Sequence, residues 1–148
     1  MKFLLLAGGR AASAPETAAA ADYLKRASLA GRKIGLKEAG LVEIDERKAN
    51  WLEAVPKGGV LAALDERGTN ASSAELASWL RKHLDSGIPA LALAIGAADG
   101  LPAPVKAAAR ETFAFGRATW PHMMVRVMAA EQIYRAVTIL TDHPYHRV

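Results

Sequence analysis

The sequence predicts an α/β domain, a mainly parallel sheet with helices on both faces, on three observations. Short continuous apolar runs, the mark of strands buried on both sides, recur along the 148 residues and several end at glycine. Helical stretches lie between them. Hydrophobic residues at 51% and charged residues at 23% match one ordinary globular domain, which excludes disorder, collagen-like repeats and coiled coil.

Residues 3–7, closed by Gly8-Gly9, form the first expected strand, and residues 41–44, 60–64 and 90–95 repeat the pattern. A weaker fifth strand is expected at 112–115 before Gly116. Helices are expected at 16–27, in a short piece at 47–55, at 73–84, and at 105–110 behind Pro102 and Pro104. Ser72 with Glu75 three residues on has capping-box spacing, which satisfies two orphan N–H groups at a helix start. Residues 123–140 read as a helix that is apolar almost all round, relieved only by Arg126, Glu131, Gln132, Arg135 and Thr138. A surface helix shows one apolar stripe, so this one predicts cover on several sides, with a second subunit as the natural supplier. No repeat or linker divides the chain, and residues 1–148 read as a single domain.

The absence of cysteine removes disulfides, thiolate nucleophiles and cysteine-based zinc or iron–sulfur sites. Net charge is +4, and six basic against three acidic residues after position 100 place most of the excess in the C-terminal third. That balance mildly favours polyanionic partners. The opening Met-Lys-Phe-Leu-Leu-Leu imitates a secretory signal, but its apolar run is too short and Arg10 interrupts it. No stretch approaches the roughly 18 apolar residues of a membrane span. A cytoplasmic protein without a membrane partner is therefore expected.

In open parallel sheets, ligands sit where strand C-termini meet glycine-containing loops. The loops at 95–100 and 115–121 qualify; neither is a dinucleotide fingerprint or a P-loop. The tail Asp142-His143-Pro144-Tyr145-His146-Arg147 packs two imidazoles, a phenol and a guanidinium into six residues. His143 and His146 have ligand-like spacing, but Pro144 prevents a helix there and His83 and His122 lie in unrelated elements, so no metal is expected. As proton acceptors, donors and an anion holder, the tail groups suit a reaction centre equally with a docked chain end.

The run Trp120-Pro121-His122, Val125-Arg126-Val127, Glu131-Gln132-Ile133-Tyr134-Arg135-Ala136 and His143-Pro144-Tyr145-His146-Arg147 resembles, nearly residue for residue, the ribosomal RNA large subunit methyltransferase H family, part of the SPOUT or α/β-knot superfamily. The likeness continues through Leu64-Asp65-Glu66-Arg67-Gly68, Ser72-Ser73, Ile95-Gly96, Asp99-Gly100-Leu101 and Tyr23-Leu24-Lys25-Arg26. It implies a homodimer that takes a methyl group from S-adenosylmethionine and places it on N3 of a pseudouridine in helix 69 of 23S rRNA, within the assembled 70S ribosome. It also implies a deep C-terminal trefoil knot, with residues 123–140 at the dimer interface. The cofactor would be held by Leu64, Gly96, Phe115, Gly116, Arg117, Ala118, Thr119 and Trp120.

N3 of a uracil ring carries a proton, so attack on a methyl group requires its removal and stabilisation of the resulting anion. His146 or Tyr145 is expected to accept it and Arg147 to steady the anion, with Arg126, Arg135 and His143 toward the RNA. Ala97 stands where the family usually has a second glycine, and a position requiring positive φ would suffer there. That departure motivates the rival reading, a non-catalytic ribosome- or RNA-binding protein that keeps the fold. A small-molecule α/β enzyme is a third.

Overall fold

The computed structural model describes residues 1–48 and 50–147. Five strands form one all-parallel sheet in the order β2-β1-β4-β3-β5, with β1 at Lys2–Gly8, β2 at Glu38–Ile44, β3 at Val60–Asn70, β4 at Ala90–Ile95 and β5 at Thr112–Ala114. Helices α1 (Pro15–Gly31), α2 (Ser73–Asp85), α3 (Ala103–Ala108) and α4 (His122–Leu140) connect and cover it.

Alternation along the central strands sorts side chains onto two cores. Phe3, Leu5, Leu91, Leu93 and Ile95 face a core shared with α1, α2 and α4. Leu6, Ala92, Ala94 and Ala63 face a smaller one closed by Trp51, Leu101 and Val105. Three helices therefore lie on one face, and α3 with the segment around Trp51 on the other.

Several boundaries move, for physical reasons. β2 starts at Glu38 because all seven residues of β1 find partners, from Lys2↔Glu38 to Gly8↔Ile44. As an edge strand it carries Glu38 and Glu43, which hid it from a search for continuous apolar runs. β3 runs on to Asn70 through a register shift between Leu64 and Thr69, re-pairing with β5. A Cβ on Gly68 would lie 2.5 Å from the Phe113 carbonyl, so only glycine lets the two backbones pass. The short helix expected at 47–55 is only a 3-10 turn at Leu52–Ala54, with Ala49 outside the described residues. Pro56 leaves too few residues there to offset the cost of helix nucleation.

Helix α4 draws much of its cover from its own chain. It packs against both α1 and α2 of its own chain. Small residues make the fit close: Ala129, Ala130 and Ala136 are fully buried, and α1 presents Thr17, Ala20, Leu24 and Ala27 at helical spacing. The outward face is narrower than the sequence suggested, with Met124 45% exposed and Val127 and Met128 half-buried. Among the described residues, no helix is long and apolar enough to cross a membrane.

Candidate active site

The C-terminal ends of β3 and β4 open onto a cavity of about 480 Å³, within the range of small-molecule sites. Two loops wall it. The loop after β4 turns at Ala97 to Gly100, closed by the Gly100 N–H donating to the Ala97 carbonyl at 2.9 Å. A Cβ on Gly96 would stand 2.7 Å from the Gly100 Cα, so a side chain there displaces the turn. The loop after β5 begins at Phe115 and Gly116, whose φ of +83° explains the glycine. Gly116 N–H donates to Asn70 Oδ1 at 3.1 Å, and the Trp120 indole N–H to the Phe115 carbonyl at 2.9 Å, so both ends of the loop are fastened.

Leu64, Gly96, Phe115, Gly116, Ala118, Thr119 and Trp120 all line this cavity; Arg117 is exposed and turned away from it. Sequence reasoning missed Asp65, Glu66, Asp99 and His122, which also line it. The signal for the acids was their position beside the strand ends. The Arg67 N–H, and behind it the Lys106 ammonium at 3.2 Å, hold the Asp65 carboxyl below the usual carboxylate range although burial opposes them. Lys106 lines the cleft too and neutralises Asp65, so Glu66 and Asp99 are the acids left to favour a cationic ligand.

Ala97 does not need glycine's freedom, because Asp142 is the only non-glycine with positive φ among the described residues. The departure that motivated a non-catalytic reading is thus accommodated without strain.

Arg126 was expected to reach RNA, but the structure places it 1% exposed in the interior. Its Nη1 donates to Thr17 Oγ1 at 3.2 Å and Glu43 Oε2 at 2.9 Å, its Nη2 to the carbonyls of Gly8 at 3.0 Å and Gly9 at 2.9 Å. The guanidinium fork ties α4 to the ends of β1 and β2 and the start of α1. Burial pushes the Glu43 carboxyl up, but Arg126 and the Ala11 N–H at 2.6 Å outweigh it, and the group lies below its ordinary range. Val125, the preceding residue, lines the cavity, and Gly8 abuts Ala97. Arg126 therefore braces two cavity walls from behind.

The tail lies elsewhere, against α4. Tyr145 donates its hydroxyl to Glu131 Oε1 at 2.9 Å and packs on Tyr134, ring centroids 4.6 Å apart. Arg135 donates from Nε to the same carboxylate oxygen at 3.0 Å and lies over the Tyr145 ring. His146 Nδ1 is 3.4 Å from Arg135 Nη1, while His143 and Arg147 are exposed. Burial and the Glu131 and Tyr23 contacts push the Tyr145 phenol well above its ordinary value.

Among the described residues no tail residue lines the first cavity, and a second cavity lies beside Glu131, which holds Tyr145. It measures about 450 Å³ and is lined by Tyr23, Ser73, Val127, Met128, Glu131 and Gln132, and it shares Phe115 with the first. Glu131 is thus both a wall of this second cavity and the anchor of Tyr145. Among the described residues no group of three His, Asp or Glu is placed to hold a metal ion.

A parallel sheet whose strand-end loops wall a cavity is the arrangement of α/β ligand-binding folds. The family model described as "Predicted SPOUT methyltransferase" matches residues 1–146. A "Ribosomal RNA large subunit methyltransferase H" of Methylocella silvestris is 45% identical over 99% of both chains, and one of Cereibacter sphaeroides is 47% identical over 100% of both. The chain belongs to the SPOUT methyltransferase family, within the ribosomal RNA large subunit methyltransferase H group. Methyltransferases of this family use S-adenosylmethionine as methyl donor. Solved structures share the fold at low identity. One described as giving structural insights into the 2-OH methylation of C/U34 on tRNA has a TM-score of 0.53 at 19% identity, covering 95% of this chain and 97% of that one. A probable methylase family protein from Haemophilus influenzae has a TM-score of 0.54 at 12% identity, covering 99% and 70%.

Proposed function

We propose that the chain, as a homodimer, methylates N3 of a pseudouridine in helix 69 of 23S rRNA within the assembled 70S ribosome. The observation that carries this reading is the pair of cavities sharing Phe115, one walled by the two strand-end loops, the other bordered by Glu131, which holds Tyr145 of the tail. The first fits S-adenosylmethionine. Backbone groups of the Gly96 and Phe115 to Trp120 loops would take its adenine and ribose, and Glu66 and Asp99 favour its positive charges. Bound there, it supplies an already activated methyl group.

The chain's own task is then to orient the base, exclude water and handle the N3 proton. His146 is the acceptor, because it is half-buried beside Arg135 with no proton committed to Glu131, whereas Tyr145 already donates its own there. Arg135 and the exposed Arg147 favour the negative charge left on the ring oxygens. His143 and Arg147 face solvent and are available to RNA. Dimerisation would cover Met124, Val127 and Met128 beside the second cavity. With the family likeness we also propose the trefoil knot in the C-terminal part and a cytoplasmic location.

The test is mass spectrometry of helix 69 RNA from cells lacking the gene. Loss of one methyl group at a pseudouridine, restored by the wild-type gene, is expected. An unchanged modification pattern would refute the assignment.

A further inference from the structure

We propose that the end of the molecule formed by the α1–β2 turn is a second polyanion-binding surface, which docks on rRNA phosphates remote from the methylated nucleotide; this rests on the rRNA reading above. From 23 to 37 the chain reads YLKRASLAGRKIGLK, with five cations (Lys25, Arg26, Arg32, Lys33 and Lys37) and no acid. The whole chain has a net charge of only +4, so this one segment exceeds the total. A merely solubilising surface intersperses both signs.

The fold gathers these charges. Positions 25, 29 and 32 fall at i, i+4 and i+7, one face of the helix end, where Leu29 is 57% exposed between the cations. The chain then turns through a 3-10 segment, Arg32–Ile34, and reverses at Gly35 with a φ of +92°. The Gly35 carbonyl accepts the α-amino group of Met1 at 2.9 Å, and Lys37 N–H donates to the Met1 carbonyl at 2.9 Å. Lys33 Nζ reaches the Thr141 carbonyl at 3.1 Å, joining the end of α4 to the same surface.

One of the five cations, Arg26, is neutralised by a carboxylate beside the segment, and the flanking Glu38 is held by a cation outside it. Asp22 pairs with Arg26 at 2.8 Å and Glu38 with Lys2 at 3.4 Å, while Asp142 follows Thr141 at the margin. Lys25, Arg32 and Lys37 form no ion pair among the described residues.

The surface lies at the N-terminal ends of β1 and β2, whereas the cofactor cavity opens at the C-terminal ends of β3 and β4. Seven-residue strands separate the two ends by about 23 Å. A short RNA loop entering the cavity cannot also reach this end; folded rRNA, with phosphates spread over such distances, can. Phosphate contacts of this kind set register and affinity without reading sequence.

The experiment compares wild type with a Lys25→Gln, Arg32→Gln, Lys37→Gln triple variant, and with a control removing the same charge on the opposite flank (Lys57→Gln, Lys82→Gln, Arg110→Gln). Methylation of ribosomes lacking the modification is measured against salt, alongside S-adenosylmethionine binding. The surface variant should keep cofactor affinity and kcat, raise KM for ribosomes roughly tenfold, and flatten the log–log salt dependence by about 2 to 3, the loss of three phosphate contacts. The control should change neither. An unchanged KM and slope, or equal changes in both variants, would overturn the proposal while wild-type turnover still upheld the rRNA reading. Loss of binding to phosphatidylserine vesicles with ribosome kinetics intact would also overturn it, assigning the charges to a membrane. If wild type itself methylates no rRNA, the reading beneath fails instead.

Discussion

Arg126 makes four hydrogen bonds from one buried guanidinium, and no single-headed cation reproduces that fork. Arg126→Lys should therefore leave a carbonyl or Glu43 unsatisfied and cost roughly 3 kcal/mol in urea unfolding. Because the fork braces Ala97 and Val125, S-adenosylmethionine affinity of the still-folded variant should fall about tenfold. Native affinity at native-like fold would show that the brace does not reach the cavity. For the tail, Tyr145→Phe keeps the ring against Tyr134 and removes only the bond to Glu131, so turnover should fall less than about tenfold. His146→Ala should reduce it about a hundredfold or more, as removal of a general base does. Single-turnover methylation decides between them, and the reverse order would make Tyr145 the acceptor. The loops that wall the first cavity were legible in the sequence because glycine after a strand end is a local signal. Burial of Arg126 was not: its partners Gly8, Thr17 and Glu43 are more than 80 residues away. An arginine on a helix reads as a surface group until the far strand ends are seen beneath it.

At the scale of elements, β5 matters most, since three residues carry the loop that walls the cavity. Phe113 packs edge-on against Trp79 of α2, ring centroids 5.1 Å apart, and Glu111 lies 3.6 Å from the buried His83 on the same helix. Burial lowers the His83 pKa below the ordinary imidazole value of 6.5, and Lys82 and Arg110 add to it while Glu111 opposes. The unfolded chain therefore takes up this proton first as pH falls. Stability is full above about pH 6.5 and is lost below it, down through the folded value. The melting temperature should fall from about pH 7 to pH 5.5, and His83→Gln should flatten that slope; an unaltered slope would exclude His83 as its source. Glu43 and Asp65, held below 4.5 and 3.8, contribute losses only in more acid solution. The strands that sequence reasoning placed well, β1 and β4, are buried on both faces. Those it shortened, β2 and the far half of β3, carry charge because one face is wet or the strand has left the sheet core.

At the scale of the whole molecule, all-round apolarity of α4 was read as a need for a partner, yet α1 and α2 supply most of the cover. What remains is the strip of Met124, Val127 and Met128 with Trp120, 46% exposed, beside the second cavity. Dimerisation through this strip predicts a folded dimer at micromolar concentration by analytical ultracentrifugation, and Met124→Glu with Met128→Glu should shift it toward monomer. A wild-type monomer there would refute dimerisation through this strip.

The central claim is that this chain transfers a methyl group to large-subunit rRNA, and purified protein tests it most directly. Ribosomes lacking the modification are incubated with the protein and labelled S-adenosylmethionine, and the helix 69 fragment is then analysed by mass. One methyl group on a pseudouridine ring nitrogen, absent with His146→Ala, is the predicted result. Tight S-adenosylmethionine binding with no methyl group reaching the RNA would contradict it.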